Sequence, residues 1–137
     1  DIIFDWEKML SFSGDSGPYL QYTYARVQSI LRKAGKVRKA GKQDIELLDR
    51  TDELVLMRKI FEFPDVVQKA GELYSTSTLA TYLYKLAVAT NKFYETTPIL
   101  KDGDATRVSP RLLLIKTAAD TLKKGLGLLG IETLEKI

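Results

Sequence analysis

Apolar side chains return every three or four positions along nearly the whole chain, which is the spacing of one face of an α-helix. The short alternating runs bounded by Asn-Gly or Gly-Gly turns that indicate β-hairpins are absent from the sequence. Helices are predicted over 4–12, 18–34, 51–61 and 65–72, from Ser75 or Thr76 to before Pro98, and from Ser109 to about 126. Because short polar connections join them, we expect an all-α bundle of five to six helices in one domain, 1–137.

Several of these helices begin and end at residues with known start and stop roles. Pro18 suits a first helical turn, and Gly35 can supply the left-handed residue that ends the same helix. Thr51 is predicted to cap the next helix with its hydroxyl group. The glycines within 125–130 formally match a dinucleotide-binding fingerprint, but they follow a predicted helix and not a strand, which favours a helix C-cap.

The helix predicted over 18–34 carries two different faces. At about 100° per residue, a core stripe forms on one side. Its members are Leu20, Tyr24, Val27, Leu31 and Ala34. A second stripe lies nearly opposite the first, where we expect solvent. Its members are Tyr19, Tyr22, Arg26, Ser29 and Lys33.

Exposed aromatic rings that alternate with cations suit single-stranded nucleic acid. A ring provides a stacking surface worth about 1–3 kcal/mol per base, and Arg or Lys neutralises phosphate. The alternative is that another helix covers the two tyrosines and that Arg26 pairs with a neighbouring acid, and the spacing alone leaves both possibilities open. Tyr94 has a similar ambiguity, because it can belong to the core or flank a groove beside this helix.

The formal net charge of +3 hides an uneven distribution. No acidic residue lies between Asp15 and Asp44, and this window contains seven basic ones: Arg26, Arg32, Lys33, Lys36, Arg38, Lys39 and Lys42. The chain has 21 bases and 18 acids, so the remainder holds 14 bases against 18 acids and carries −4. Residues 35–43 show no apolar period and are predicted to form a basic loop.

The composition narrows the possible functions. Hydrophobic residues make up 45% of the chain and charged residues 28%, with a mean hydropathy of −0.14, as in ordinary globular domains. The absence of His and Cys excludes disulfides, Cys/His zinc sites and Ser-His-Asp triads. No secretion signal or bilayer-spanning run is visible, so we expect a cytoplasmic protein without a membrane partner. The segment 101–104 is predicted to be a turn and not a metal loop.

Four segments of the chain resemble one family. The stretch from Gly14 to Ile30, which reads GDSGPYLQYTYARVQSI, resembles the segment that opens the anticodon-binding domain of arginyl-tRNA synthetases. The other three segments are Tyr82 to Tyr94 (Y-L-x-x-L-A followed by N-x-F-Y), Asp104 to Arg107, which is similar to the D-A-L-R signature, and Leu122 to Ile131. Together they extend over most of the chain and imply the helical anticodon-binding fold of a class I aminoacyl-tRNA synthetase.

The resemblance implies that Tyr19, Tyr22 and Arg26 contact the anticodon loop of arginine tRNA. Thr106 departs from the family signature, where Leu is usual, and the chain ends in Ile137 where many members have Pro-x-x-Met. We include Ile137 as a candidate contact because the family's C-terminus lies close to the anticodon loop.

The same resemblance implies that the catalytic domain, which would use ATP and magnesium to charge tRNA with arginine, is absent from this sequence. The chain by itself is therefore expected to be non-catalytic, to need no cofactor or metal, and to be a monomer. The competing interpretation is a helical protein-interaction domain with a basic surface.

Overall fold

The computed structural model describes residues 17–101 and 103–135, and the helix predicted over 4–12 lies outside them. The described elements are α1 (Gly17–Ala34), α2 (Lys42–Ile45), α3 (Thr51–Phe61), α4 (Phe63–Glu72), α5 (Thr76–Thr96), a 3-10 turn (Ala105–Arg107) and α6 (Val108–Leu128). No strand occurs in the described ranges, so the all-α prediction is confirmed. The prediction did not include the short α2, which occupies the end of the basic loop.

Helices α5 and α6 form the centre of the bundle. Helix α6 packs against α1, α3 and α5, and α5 also contacts α1, α3 and α4. The apolar positions of α5 face the core: Leu79, Leu83, Leu86, Ala87 and Phe93 are all buried. Most apolar positions of α6 are also buried, but not Leu113; the buried ones include Leu112, Ile115, Ala119, Leu122 and Leu126. Leu113 is 38% exposed and lines a shallow apolar pocket with Phe61 and Ile45.

The helix ends agree with the sequence at three points and differ at one. Gly35 has a φ of +64°, and the Ser75 hydroxyl accepts from the backbone N–H of Thr78 at 3.3 Å. At the end of α6, Gly130 has a φ of +77°, and the N–H of Ile131 donates to the Leu126 carbonyl at 2.9 Å, so the C-cap interpretation is confirmed.

The predicted cap at Thr51 is wrong. The N-cap of α3 is Arg50, whose side chain makes no capping hydrogen bond. The Glu53 carboxylate accepts from the backbone N–H of Arg50 at 2.9 Å instead. The helix start is therefore stabilised by a residue inside its first turn.

Gly125 and Gly127 provide a matched test of packing in α6. A Cβ on Gly125 would lie 2.8 Å from Leu83 Cδ1 and 3.0 Å from its Cγ, and Leu83 is fully buried. A Cβ on Gly127 would meet nothing within 4 Å. We expect Gly125→Ala to lower the free energy of unfolding by about 1–3 kcal/mol, because Leu83 must move in a close-packed core.

The Gly127→Ala variant is the control, and we expect it to raise the free energy of unfolding by up to about 1 kcal/mol, because Ala favours helix more than Gly does. Urea denaturation of the two variants measures both effects. Equal midpoints for the two would contradict the close approach of α6 to α5.

Two fully buried charged side chains join α3 to α6. Arg111 Nε donates to Glu53 Oε2 at 2.7 Å, and both side chains have no exposed surface. Arg111 Nη1 also donates to the carbonyl of Pro98 at 3.0 Å. Because an unpaired buried charge is costly, loss of either partner would strongly disfavour the packing of α3 against α6.

Candidate nucleic-acid interface

The open face of α1 is narrower than the sequence predicted. Tyr22 is 51% exposed and Lys33 is exposed, with the half-buried Ser29 between them. On a helical wheel these three lie within about 40° of one another. They form a continuous stripe along the helix, which we call the Tyr22 face.

Arg26 lies at the edge of the Tyr22 face, where α5 covers part of it. Its guanidinium carbon lies 3.8 Å from the ring centroid of Tyr94, in cation–π geometry. Its Nη1 donates to Asn91 Oδ1 at 3.1 Å and lies 3.8 Å from Glu95 Oε1. The side chain of Arg26 remains 26% exposed. Arg26 therefore has Glu95 as an acidic neighbour and is still accessible from solvent.

Tyr19 is the predicted face residue that α5 covers most. Its ring lies 5.6 Å from that of Tyr84 between centroids, and its hydroxyl accepts from Asn91 Nδ2 at 3.0 Å. Tyr19 is half-buried and also packs against the core. Another helix therefore covers one of the two tyrosines, Tyr19, and leaves Tyr22 open.

The tyrosines of α5 occupy three different environments. Tyr82 is buried and donates to the Lys59 carbonyl at 2.6 Å, and its burial, with a smaller contribution from the charge of Glu62, raises its pKa. Tyr84 is exposed, and the half-buried Tyr94 lies under Arg26. Tyr94 thus packs on the edge of the core and contacts α1 through Arg26.

The C-terminal segment lies against α1 on the side that faces away from α5. Gln21 Nε2 donates to the carbonyl of Glu132 at 2.9 Å, and Arg32 Nη1 lies 3.9 Å from Glu135 Oε2. This segment therefore runs in the same direction as α1, towards its C-terminal end. The candidate residue Ile137 lies outside the described residues.

One acidic residue of α2 anchors the basic loop. Arg38 forms two hydrogen bonds with the Asp44 carboxylate, each of 3.1 Å, and the Gly41 N–H donates to the same carboxylate at 2.6 Å. These contacts lower the pKa of Asp44, with Arg38 as the larger cause. The Ser109 hydroxyl of α6 donates to the Arg38 carbonyl, which ties the loop to the bundle.

The turn at 104–107, which corresponds to the D-A-L-R signature, is hydrogen-bonded to the segment before α3. Asp104 accepts from the Thr106 N–H at 3.0 Å, and Arg107 Nη1 donates to the Leu47 carbonyl at 2.9 Å and to Asp49 at 3.0 Å. The hydrogen bond from Arg107 and its charge lower the pKa of Asp49. The turn therefore has a structural role within the bundle.

These two carboxylates predict how stability depends on pH. Both have a folded-state pKa below the ordinary value of 3.8, so their contribution is present above that value and is lost as the pH falls through the lowered pKa. The chain has no His or Cys. We expect a constant urea midpoint between about pH 5 and pH 8 and a decrease below about pH 4.

Asp44→Asn is the matched variant for this prediction, because it keeps the shape of the side chain and removes one titrating group. Its urea midpoint should fall less between about pH 4 and pH 3 than that of the unchanged chain. A midpoint that rises on acidification would contradict the prediction.

Within the described ranges, no three potential ligand side chains of His, Cys, Asp or Glu come together as a metal site would require. None of the helices described there combines the length and the hydropathy that a bilayer crossing requires.

The order and packing of the helices define a class of protein, the helical C-terminal domain found in arginyl-tRNA synthetases. The chain superimposes on the arginyl-tRNA synthetase of Thermus thermophilus with a TM-score of 0.82 and 35% identity, over 98% of this chain and 23% of that one. The chain belongs to the DALR anticodon binding domain family, which it matches over residues 20–137.

Curated relatives agree with this assignment. The arginine–tRNA ligase of Fusobacterium nucleatum is 46% identical over 100% of this chain, and that of Colwellia psychrerythraea is 45% identical over the same share. The chain spans 24% and 23% of their respective lengths, about a quarter.

Proposed function

We propose that this chain binds the anticodon loop of arginine tRNA through the Tyr22 face and the adjacent edge of α5 that carries Tyr94. The observation that carries the proposal is the exposed ring of Tyr22 on α1. The same helix carries two cations, Lys33 and Arg26, and Arg26 stacks on the Tyr94 ring. The open ring can stack on an unpaired base, and the cations can neutralise the adjacent phosphates.

The geometry of Arg26 supports recognition of a base edge. Its hydrogen bond to Asn91 and its ion pair with Glu95 both use Nη1, which leaves Nε and Nη2 to donate to a ligand. Cytosine presents two adjacent acceptors, O2 and N3, on its pairing edge. Because arginine codons share a middle guanine, their tRNAs share a middle cytosine that these donors suit.

The lysines at the end of α1 and in the segment up to α2 contribute attraction to phosphate without base specificity. Lys33, Lys36, Lys39 and Lys42 are exposed, whereas the charge of Arg38 is already paired with Asp44. Contacts to phosphate determine orientation and the dependence on salt, and contacts to base edges determine sequence preference. Ser29, Ile137 and the half-buried Tyr19 complete the proposed contact set.

The activity of the larger protein would be the ATP-dependent attachment of arginine to tRNA, with magnesium, in the cytoplasm. This chain positions the tRNA as a monomer and supplies no group for the chemistry of arginine activation. Its contribution to the reaction is therefore binding and orientation.

A binding experiment with short RNA tests the function. An anticodon stem-loop of arginine tRNA should bind the chain more tightly than a loop with uracil at the middle position, and the affinity should fall steeply with ionic strength. Equal affinity for both loops and for an unrelated polyanion would contradict the proposal and favour a protein-interaction domain with a basic surface.

A further inference from the structure

Asn91 lies at the centre of a hydrogen-bond network between α1 and α5, beneath the proposed RNA contacts. Its amide is buried, and its Oδ1 accepts from Arg26 Nη1 at 3.1 Å. Its Nδ2 donates to Thr23 Oγ1 at 2.8 Å and to Tyr19 Oη at 3.0 Å. One buried side chain therefore joins two residues of the proposed contact set.

The neighbours of Asn91 allow only one orientation of its amide group. The Thr23 hydroxyl donates its proton to the Tyr19 carbonyl at 2.9 Å, so the Thr23 oxygen is left to accept. The Arg26 guanidinium can only donate. The carbonyl of Asn91 must therefore face Arg26, and its NH₂ group must face Thr23.

This orientation determines which hydrogen bonds Tyr19 can offer. The second N–H of Asn91 points at the Tyr19 hydroxyl oxygen, so the hydroxyl proton must point elsewhere. The Tyr19 hydroxyl proton is then available for donation to a ligand, as are the Nε and Nη2 protons of Arg26. Two donors match the O2 and N3 acceptors of cytosine, whereas uracil carries a proton on N3.

We propose that Asn91 is a positioning residue that holds Tyr19 and Arg26 as hydrogen-bond donors and so favours cytosine over uracil in the bound loop. The proposal rests on the function proposed above. Asn91 acts from beneath the face, through its two partners, and does not contact the RNA.

The Asn91→Asp variant tests whether the donor and acceptor directions of these hydrogen bonds matter for binding. The new carboxylate keeps nearly the same shape and can still accept from Arg26, but it cannot donate to Tyr19 or Thr23. The Tyr19 hydroxyl then donates inwards and is lost to the ligand as a donor. We expect the ratio of affinities for stem-loops with cytosine and with uracil at the middle position to fall about tenfold.

Thr90→Val is the matched control in the same helix. Thr90 is buried and donates to the Leu86 carbonyl at 2.7 Å, within α5 and apart from the Asn91 network. This change should affect stability and leave the ratio of affinities unchanged. If Asn91 had only a packing role, Asn91→Asp would behave in the same way. Circular dichroism checks that each variant is folded.

Tyr19→Phe provides a second route that does not depend on the folding of the Asn91 variant. It removes the hydroxyl group, and we expect it to lower the same ratio. In a Tyr19→Phe background, Asn91→Asp should change the ratio less than it does alone, because one of its two partners is already lost.

The outcomes separate this inference from the proposed function. A wild-type chain that binds both loops equally contradicts the function. A wild-type chain that prefers cytosine, with the same preference in Asn91→Asp or in Tyr19→Phe, contradicts only the positioning role of Asn91.

Discussion

Replacement of Arg111 by Met is expected to lower the free energy of unfolding by about 3–5 kcal/mol, because it leaves the Glu53 carboxylate buried without its cation. Both side chains are fully buried, and the hydrogen bond between them is 2.7 Å long. The variant also removes the donor to the Pro98 carbonyl. Urea denaturation followed by circular dichroism measures the loss.

The control is Lys116→Met, which breaks an ion pair of similar length on the surface of the same helix. Lys116 Nζ lies 2.9 Å from Asp120, and their side chains are 57% and 47% exposed. We expect a loss of about 0.3–0.5 kcal/mol there, because water already solvates both charges.

A double variant separates two effects of Arg111→Met, the unpaired charge on Glu53 and the lost packing of the Arg111 side chain. In Glu53→Gln/Arg111→Met both charges are removed, and stability should recover part of the single-variant loss. Recovery should be incomplete, since the neutral Gln amide oxygen accepts from the Arg50 N–H more weakly than the carboxylate does, and the Pro98 carbonyl still lacks its donor. A single Arg111→Met variant as stable as Lys116→Met would contradict the role of the pair.

Tyr22→Ala is expected to weaken binding of the arginine anticodon stem-loop by about 5- to 150-fold, the equivalent of one lost stacking interaction of about 1–3 kcal/mol. Tyr22 makes no hydrogen bond or ring contact within the described residues and is half exposed, so the thermal midpoint should stay nearly unchanged. Fluorescence anisotropy with a labelled stem-loop measures the affinity.

Tyr74→Asn is the matched control for Tyr22. Tyr74 is 97% exposed in the connection between α4 and α5, and its φ of 49° is a conformation that Asn tolerates. Its replacement should leave RNA affinity unchanged. An unchanged affinity in Tyr22→Ala would show that the RNA does not stack on α1.

Helix positions could be predicted well because their signals are local. The bounds of α1 follow from apolar spacing between Pro18 and Gly35, and Ser75 starts α5 through a bond within its own first turn. The error at Thr51 has a local cause too. Glu53 reaches back to the Arg50 N–H, and a nearby acid can replace a hydroxyl cap.

The candidate site was only partly predictable. The helical wheel placed Tyr19 and Tyr22 on one face, yet α5 covers Tyr19 and leaves Tyr22 open. The role of Asn91 could not be inferred from spacing, because its partners on α1 lie 65 to 72 residues away in sequence. Two signals were available, a polar residue at a buried position of α5 and its place in the N-x-F-Y segment, and neither identifies the partners.

The sequence by itself determined the helices, the apolar faces that they bury, the concentration of positive charge around α1 and the family. Each of these depends on residues close together in the chain, whose spacing and chemistry can be read directly. Only the tertiary structure decided that Tyr22 is open, that Arg26 stacks on Tyr94 and that Glu53 pairs with Arg111. Those features depend on how helices distant in sequence pack, and packing sets which polar groups lose water and need a partner.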